Sequence, residues 1–567
     1  MSEQLVLSQL SGPTGEPLLE ETIGSAFNRT VDRFPEVEAL VVRHQGVRWT
    51  YREYQQQVER LACGLLALGI EPGDRVGIWA PNCYQWCLTQ FATARIGAIM
   101  VCINPAYRSY ELEYALNKVQ CKAVISACQF KSSDYLAMLE QLAPELPACE
   151  PGQLKAARLP HLRTVISMGD EPRAGMYNFA AVCAMGGEAE RAQLEAVAAR
   201  LSPGDPINIQ FTSGTTGNPK GATLTHRNIL NNGKLVGDGM RLTEADRLCI
   251  PVPLYHCFGM VMANLACITH GSTAIFPGEA FEPEATLAAV AEERCTALHG
   301  VPTMFIAELD HPRFGAFELG SLRTGIMAGA PCPVEVMQRV LTRMHMSEVL
   351  IAYGQTETSP VNHMTTVDDS IEKRVGSVGR PAPHCEIKII DPQGAVVPVG
   401  DKGEICCRGY SVMLGYWDDP ERTAETIDGD GWLHSGDIGV MDEQGYTQVT
   451  GRIKDMIIRG GENIYPREVE EFLYTHPDIQ EVQVFGIPDE RYGEQVCAWI
   501  RLREGAALDA QGLRDYCRDR ITHFKIPHHI RFVEDFPMTV TGKMQKFLMR
   551  EQMVADLSPG DASGATT

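Results

Sequence analysis

The chain has 567 residues, more than one hydrophobic core normally supports, so two or more domains are expected. Apolar residues make up 44% of the chain and charged residues 22%, which is typical of globular proteins. The formal charge of −22, from 50 basic and 72 acidic residues, argues against general nucleic-acid binding and against docking on an anionic membrane. An anionic substrate must therefore be bound by lysines and arginines that are concentrated at its site.

The cysteines and the apolar stretches indicate the compartment. The 18 cysteines have no repeated spacing and no Cys-x-x-Cys pair that suggests zinc, which favours reduced cysteines in a core. The N-terminus is polar and acidic, without the pattern of a targeting peptide. The longest apolar stretch, residues 254–268, carries His256 and Asn264 and is too short to span a bilayer. We expect a soluble cytoplasmic protein with no integral membrane segment.

The N-terminal half alternates predicted strands and helices. Residues 50–53 (Thr-Tyr-Arg-Glu) form a capping box that opens a helix. The elements that follow are a strand at 75–79, a helix at 84–96, a strand at 98–103, a helix at 110–119 and strands at 123–126 and 164–168. Such alternation predicts βαβ units and a parallel sheet that is buried on both faces.

An apolar strand at 207–211 leads into a stretch rich in glycine and hydroxyl groups, Thr212-Ser213-Gly214-Thr215-Thr216-Gly217-Asn218-Pro219-Lys220-Gly221. Glycines let the backbone approach a ligand, while hydroxyls, N–H groups and a lysine bind phosphate oxygens. The spacing differs from the usual P-loop, because Pro219 stands where the second glycine should be. The stretch predicts a triphosphate site, with a polar surface turn as the alternative. Thr225 or His226 then caps a helix that runs through Asn232.

The pattern changes towards the C-terminus. Short alternating strands between 385 and 409 predict a small β subdomain. After Lys454 an α+β pattern begins, with a helix from Pro466, a strand at 481–487 and a helix at 510–521. We therefore expect an α/β fold: a large N-terminal domain of layered βαβ sheets plus the β subdomain (1–452), a small mobile α+β domain (453–555), and a flexible tail (556–567).

Further motifs follow the glycine-rich stretch in a fixed order. They are Ala328-Gly329-Ala330-Pro331, Tyr353-Gly354-Gln355-Thr356-Glu357, Gly431-Trp432-Leu433-His434-Ser435-Gly436-Asp437, Arg452, and Thr541-Gly542-Lys543. Together, from about residue 20 to residue 550, the chain resembles the adenylate-forming superfamily, which comprises acyl-CoA synthetases, adenylation domains of peptide synthetases, and luciferases. Six motifs in the expected order make coincidence negligible.

The resemblance implies a role for each motif. The 212–221 stretch resembles the phosphate loop of the family. The adenine-side loop is resembled by Gly329, Ala330 and Pro331. Tyr353 resembles the tyrosine that stacks near adenine, and Gly354 and Gln355 belong to the same motif. Thr356 would contact the α-phosphate and Glu357 would hold Mg²⁺. Asp437 would bind the ribose, and Arg452 the ribose or phosphate. Lys543 would be the catalytic lysine, and His256 would line the acyl and thioester site.

Simple electrostatics agrees with these roles. Attack of a carboxylate on the α-phosphate gathers several negative charges, which Mg²⁺ on Glu357 would partly neutralise. Lys543 would add a positive charge between the carboxylate and the α-phosphate, and losing such a contact typically costs roughly 10²–10³ in rate. Asp437 can accept from both ribose hydroxyls.

Each of these residues also has a plainer interpretation. Glu357 alone could be a solvated carboxylate at a helix start, Asp437 a turn residue, and Lys543 an ordinary hairpin lysine. His256 could also be a core histidine that has all its hydrogen bonds.

Lys454 matches the hinge of the resembling enzymes, in which the small domain rotates between two half-reactions.

Residues 104–108 and 207–228 look most like medium-chain and related fatty acyl-CoA synthetases. Where an amino-acid substrate would need an acidic residue, the chain has Tyr255 and His256, so the acid is expected to be apolar. The expected co-substrates are ATP and CoA.

Two alternatives stay open: an acyl-AMP ligase that loads a carrier protein, and an inactive nucleotide-binding protein. Intact Lys543, Glu357 and Asp437 argue against the inactive protein. Chain length, branching or an aryl acid, and a monomer or a homodimer, are also left open.

Overall fold

The structure, a computed structural model, describes residues 5–212, 219–330, 332–460, 462–518, 520–539 and 544–557. The chain forms two compact units. The large unit contains Leu10–Ile387 and Cys407–His434, and the small unit contains the described parts of Met1–Gln9, Lys388–Cys406 and Ser435–Thr567. The domain limits 1–452, 453–555 and 556–567 stay a prediction.

The large unit is built on two extended sheets. The eight-stranded sheet has the order Tyr177–Asn178, Thr164–Ser167, Ala123–Ser126, Arg75–Trp79, Ile99–Cys102, Pro206–Thr212, Lys220–Thr225 and Gly415–Tyr416. The nine-stranded sheet has the order Arg380–Pro381, Val361–Met364, Glu348–Gly354, Thr324–Ala328, Ala297–Leu298, Arg247–Cys249, Thr273–Phe276, Glu38–Val42 and Val47–Thr50. In both sheets the central strands are parallel. Antiparallel strands are added at one edge of the eight-stranded sheet and at both edges of the nine-stranded sheet, whereas the edge strand Tyr177–Asn178 is parallel to its neighbour.

Alternating side chains on the strands fill two separate cores. In strand Ile99–Cys102, Met100 and Cys102 belong to the larger apolar cluster, whereas Ile99 and Val101 belong to a second cluster on the opposite face. Since successive strand side chains point to opposite faces, this sheet is buried on both sides, as predicted.

Helices cover the sheets of the large unit. They are Ile23–Arg33, Tyr51–Ala67, Tyr84–Ile96, Ser109–Lys118, Tyr135–Leu142, Phe179–Cys183, Glu188–Ala198, His226–Gly239, Ala266–His270, Pro283–Glu292, Pro302–Leu309, Val334–Arg343, Ile371–Gly376 and Pro420–Thr426. A π-helix occupies Phe258–Leu265, and 3₁₀ turns occupy Arg43–Gln45, Leu146–Ala148, Phe314–Ala316 and Thr356–Thr358. A two-stranded hairpin pairs Gln129–Phe130 with Ser133–Asp134.

The remaining sheets complete the fold. A five-stranded sheet has the order Gln9–Ser11, Cys385–Ile390, Gly403–Gly409, Leu433–Met441 and Thr447–Arg452. The α+β part of the small unit has strands Glu462–Ile464, Ile457–Arg459, Gly493–Leu502 and Ile479–Asp489 in that order, with His529–Phe532 parallel to Gly493–Leu502. Its helices are Pro466–Leu473, Ala510–Cys517 and Lys546–Leu557, with 3₁₀ turns at Ile453–Asp455 and His523–Lys525. The predicted α/β class with a small C-terminal α+β part is confirmed.

Two predicted helices differ in length from those observed. The helix capped by Thr225 continues to Gly239 rather than ending at Asn232. Its glycines allow close packing, because a Cβ on Gly233 would lie 2.7 Å from the Cβ of Leu265. The helix predicted at 510–521 ends at Cys517. The capping box of Thr50 and Glu53 is formed as predicted.

Most cysteines of the chain lie in the protein core. All 18 cysteines are free thiols, and 15 of them are buried. Among the helices in the described ranges, none is both long enough and apolar enough to cross a bilayer.

Candidate active site

A hairpin in the large unit carries the predicted phosphate loop. Strands Pro206–Thr212 and Lys220–Thr225 are antiparallel, with Thr212 opposite Lys220. The hydroxyl of Tyr114 donates a hydrogen bond of 3.1 Å to the carbonyl of Pro219. The ends of the loop are therefore fixed by the sheet. Ser213, Gly214, Thr215, Thr216 and Gly217 lie outside the described residues.

Tyr416 joins two predicted site residues. Its hydroxyl donates a hydrogen bond of 2.8 Å to Oε1 of Glu357, the predicted metal ligand. The ammonium group of Lys220 lies 4.7 Å from the centroid of the Tyr416 ring, within cation–π range. Burial, and the charge of Glu357 after it, raise the pKa of Tyr416 above its usual value, so the phenol stays a hydrogen-bond donor.

A tight turn presents Thr356 and Glu357. Strand Glu348–Gly354 ends directly before it, and a Cβ on Gly354 would lie 1.8 Å from the carbonyl oxygen of Pro360, so only glycine fits. The hydroxyl of Thr358 accepts from the N–H of Gln355 at 3.1 Å and lies 2.7 Å from the Pro360 carbonyl, to which it donates. These bonds fix the backbone from which both side chains project.

Tyr353, the predicted adenine neighbour, lies opposite His363 on the adjacent strand. The two ring centroids are 5.6 Å apart at an interplanar angle of 63°. His363 is fully buried, and burial lowers its pKa to about 3, so the imidazole is neutral near neutral pH. The tyrosine ring therefore packs on an uncharged neighbour.

The adenine-side residues and the Tyr353 motif leave the same sheet edge. Gly329 and Ala330 follow strand Thr324–Ala328, whose Ala328 is paired with Ala352 in the parallel neighbour. Because the carboxyl ends of parallel strands meet at one edge, both loops lie at the edge where ligands bind in such sheets. Gly329 has φ +85°, a conformation that favours glycine. Pro331 lies outside the described residues.

His256 and Cys257 lie just before the π-helix. Nδ1 of the half-buried His256 accepts from the N–H of Phe258 at 3.2 Å, so the imidazole caps the helix start. The fully buried Cys257 thiol donates to Oε1 of Gln210 at 3.0 Å. Burial raises the pKa of this thiol. The charge of Glu357 raises this pKa further and a hydrogen bond with Thr356 lowers it, so the thiol lies close to the turn that carries both residues.

The π-helix Phe258–Leu265 is anchored by a buried histidine. Nε2 of His299 lies 3.1 Å from the carbonyl oxygen of Met262, while Nδ1 accepts from the N–H of Ile326 at 3.2 Å. This arrangement fixes the neutral tautomer with the proton on Nε2, and burial lowers the pKa of His299 to about 4. Such π-helical segments occur frequently at functional sites.

In the small unit, Asp437 and Arg452 lie opposite each other on antiparallel strands. Nε of Arg452 is 3.1 Å from Oδ1 of Asp437, and the carboxylate side chain is 7% exposed against 44% for the arginine. The Ser435 hydroxyl accepts from the N–H of Asp437 at 3.0 Å and helps to fix it. The pair offers an oriented carboxylate and a cation with an exposed face.

Lys454 lies in the 3₁₀ turn Ile453–Asp455, directly after strand Thr447–Arg452, and is exposed. Lys543 lies outside the described residues. Among the described residues on either side of it, Met538 and Met544 form an antiparallel bridge, and the N–H of Gln545 donates a 2.9 Å hydrogen bond to the carbonyl of Pro537.

Sequence reasoning missed Tyr416, Gln210 and Cys257. Tyr416 is 59 positions from Glu357, and no spacing rule connects them. A weak indication was available, because Gln210 is a polar residue in the middle of an apolar strand and such residues need buried partners.

The donor groups of the large unit suit Mg²⁺. Magnesium prefers oxygen ligands and is often bound through one or two carboxylates together with substrate phosphates. Glu357 supplies a carboxylate, and the neighbouring Thr356 a hydroxyl, on the fixed turn. These residues fit a magnesium ion that is shared with a triphosphate.

Comparison with known proteins identifies the family. The model of the AMP-binding enzyme family matches residues 27–417, and the model of the AMP-binding enzyme C-terminal domain matches residues 468–543. The chain therefore belongs to the AMP-binding enzymes, the adenylate-forming family that its motifs resemble.

Curated relatives cover almost the whole chain. The medium-chain acyl-CoA ligase ACSF2, mitochondrial, of Danio rerio is 47% identical over 97% of this chain and 91% of its own length. The putative acyl-CoA synthetase YngI of Bacillus subtilis (strain 168) is 47% identical over 95% of this chain and 98% of its own. A crystal structure of the anthranilate CoA ligase AuaEII with anthranoyl-AMP is 26% identical, with a TM-score of 0.84 over 96% of this chain and 99% of that one.

Proposed function

We propose that the chain is an AMP-forming acyl-CoA ligase that acts on medium-chain fatty acids. The observation that carries this function is that Tyr416 contacts two site residues at once. These are Lys220, at the end of the predicted phosphate loop, and the carboxylate of Glu357. Relatives named as a medium-chain acyl-CoA ligase and a putative acyl-CoA synthetase, 47% identical over nearly the full length, support the enzyme class.

The reaction has two steps. The fatty-acid carboxylate oxygen attacks the α-phosphorus of ATP, and the bond to the β,γ-diphosphate breaks, which gives acyl-AMP and pyrophosphate. The thiolate of CoA then attacks the acyl carbonyl, the thiol proton passes to solvent, and AMP leaves with the electrons of the broken acyl–oxygen bond. No net oxidation or reduction takes place.

Each site residue has a defined task in the first step. Lys220 and the loop hydroxyls bind the triphosphate, while Thr356 orients the α-phosphate from its fixed turn. Lys543 stabilises the charge that develops between carboxylate and phosphate. Magnesium, when bound by Glu357, supplies positive charge at the phosphate oxygens.

The nucleoside and the acyl chain use other residues. Asp437 accepts from the ribose hydroxyls, with Arg452 beside it, and Tyr353 packs on the adenine with Gly329 and Ala330. His256 lines the acyl and thioester site, since its imidazole is only half-buried. Lys454 is the hinge at which the C-terminal domain turns between the two steps.

The acid is apolar apart from its carboxylate. The π-helix Phe258–Leu265 is buried and apolar except for Asn264, and only Cys257 separates it from His256. Tyr255 and His256 stand where a substrate ammonium group would need an acidic partner. Because an apolar pocket discriminates by only about 1–3 kcal/mol per methylene, we expect activity over several chain lengths around the preferred one.

The test is a product assay with ATP, Mg²⁺ and octanoate, with and without CoA. AMP, pyrophosphate and octanoyl-CoA in equal amounts, with sustained turnover only when CoA is present, are expected. Octanoyl-AMP that CoA does not convert would instead favour loading of a carrier protein. Nucleotide binding without adenylate from any acid would favour an inactive nucleotide-binding protein and refute the ligase.

The location and the assembly concern the whole protein. We propose a cytoplasmic location, although the ACSF2 relative is named as mitochondrial, and cell fractionation with an antibody against this chain decides between them. The assembly is left open between a monomer and a homodimer, which sedimentation equilibrium of the full chain distinguishes by mass.

A further inference from the structure

The charges of Lys220 and Glu357 raise a structural problem. If an ammonium and a carboxylate at one site paired directly, the lysine would be less available to phosphate and the carboxylate less available to a metal ion. In the described part of the chain, neither residue is in an ion pair; both contact Tyr416 instead. The tyrosine thus separates two opposite charges while it contacts each of them.

The backbone around Tyr416 connects the same two parts of the site. The N–H of Trp417 donates to the carbonyl of Gly221 at 2.8 Å, next to Lys220, and the N–H of Met413 donates to the carbonyl of Glu357 at 2.9 Å. Tyr416 itself pairs with Ala222 across the strands. The segment therefore fixes the distance between the phosphate hairpin and the Glu357 turn.

A further contact fixes Tyr416 from the other side. The hydroxyl of Thr423, in helix Pro420–Thr426, accepts from the N–H of Tyr416 at 2.9 Å. The tyrosine is 7% exposed, so its ring and hydroxyl have little freedom to move. A rigid donor of this kind restricts the orientation of the carboxylate that it contacts.

We propose that Tyr416 is a positioning residue for the metal–nucleotide complex: its hydroxyl orients the Glu357 carboxylate towards Mg²⁺, and its ring holds the Lys220 ammonium towards the triphosphate. The inference rests on the proposed function for the identity of the nucleotide, ATP. The hydroxyl acts on the metal through Glu357, whereas the ring acts on the phosphate through Lys220. The two effects are therefore separable by substitution.

Tyr416→Phe removes only the hydroxyl, and Tyr416→Leu removes the ring as well. Loss of a partner that orients a metal ligand commonly costs 10–100-fold in metal affinity. We expect Tyr416→Phe to lower the Mg²⁺ affinity of the ATP complex roughly tenfold, with ATP affinity in EDTA unchanged. Tyr416→Leu should weaken ATP binding in EDTA as well.

The matched control is Tyr51→Phe. Tyr51 is likewise a buried tyrosine, and its hydroxyl donates to the carbonyl of Ser272 at 2.7 Å, but it lies outside the proposed site. This control loses a buried tyrosine hydroxyl without any effect on Glu357. It should leave Mg²⁺ affinity as in the unsubstituted protein.

The experiment is isothermal titration of the full chain with ATP at a series of Mg²⁺ concentrations and in EDTA, without acid or CoA. The same titrations are done in a Glu357→Gln background, in which Tyr416→Phe should have no further effect on the Mg²⁺ dependence. Equal Mg²⁺ affinity for Tyr416→Phe and Tyr51→Phe, or a full effect of Tyr416→Phe without Glu357, would overturn the proposal.

The ATP titrations and the product assay together distinguish the positioning role of Tyr416 from the ligase activity. Magnesium-dependent ATP binding that requires Tyr416, in a protein that makes no acyl-CoA, would support the positioning role and refute the ligase. Acyl-CoA synthesis with a Mg²⁺ dependence that Tyr416→Phe leaves unchanged would support the ligase and overturn the positioning role.

Discussion

A buried ion pair fixes the start of helix Lys546–Leu557, directly after the segment that contains Lys543. Nζ of Lys546 lies 2.6 Å from Oε1 of Glu470 and 2.9 Å from the carbonyl of Val484. Oε1 of Glu470 also accepts from the N–H of Val484 at 2.8 Å. The side chains of Glu470 and Lys546 are 9% and 22% exposed, so neither charge can be solvated fully if its partner is removed.

Lys546→Met should leave the Glu470 carboxylate buried without its cation. Breaking such a pair typically costs 3–5 kcal/mol, and we expect about 3 kcal/mol because Lys546 is partly exposed and Val484 still donates. That free energy corresponds to roughly 10²-fold faster hydrogen exchange of the backbone amides in the strands Ile479–Asp489 and Gly493–Leu502. The measurement is exchange of the full chain, followed by mass spectrometry.

Two further variants make the prediction specific. In Lys546→Met/Glu470→Gln the amide oxygen still accepts from Val484 and no charge is buried, so protection should return to within about 1 kcal/mol of the starting protein. Lys525→Met breaks the exposed pair with Glu468, whose side chain is 48% exposed, and should cost only about 0–1 kcal/mol. Unchanged exchange in Lys546→Met, or a double variant no better than the single one, would refute the reasoning.

Three other predictions concern separate parts of the chain. Asp437→Asn should raise KM for ATP roughly tenfold, because the ribose loses a charged acceptor; pyrophosphate release against ATP concentration measures this, and an unchanged KM would exclude the ribose role. Burial raises the pKa of Glu308, whose carboxyl oxygens have no hydrogen-bond partner in the described part of the chain. Since the folded state then keeps a proton that the unfolded state releases above about pH 4.5, stability should fall by up to about 1.4 kcal/mol per pH unit from pH 5 towards the raised pKa. Glu308→Gln should flatten this slope in urea unfolding, and parallel slopes for the two proteins would contradict the assignment. Lys454→Pro should slow thioester formation far more than adenylate formation in single-turnover assays, and equal slowing of both steps would count against the hinge.

Local features were predictable from the sequence because their causes are local. The capping box of Thr50 and Glu53 satisfies N–H groups within one turn. The strand at Arg75–Trp79 is a short, mostly apolar run, and the helix at Tyr84–Ile96 ends at Gly97, whose φ is +69°. The end of the helix that Thr225 caps was not predictable in this way. Its glycines lower helix propensity, and their close packing against Leu265, His270 and Met364 in the folded chain explains why the helix continues.

In the candidate site, too, contiguous motifs were predictable from the sequence and long-range contacts were not. Motifs such as Tyr353-Gly354-Gln355-Thr356-Glu357 are contiguous, so residue types and order were enough to propose them. The contact between Tyr416 and Glu357 depends on the pairing of Ala222 with Tyr416, an antiparallel register between strands nearly 200 residues apart. Such a register is set by the whole sheet, and no local pattern specifies it.

The two-residue strand Gly415–Tyr416 is the last strand of the eight-stranded sheet. An edge as short as this exposes few backbone groups to which another chain could add, so the strand protects the sheet against aggregation. Substitutions that detach it would expose the longer strand Lys220–Thr225 as a new edge. Variants that detach this strand should therefore lose soluble yield in cells together with activity, whereas Tyr416→Phe, which keeps the backbone bonds of the strand, should not.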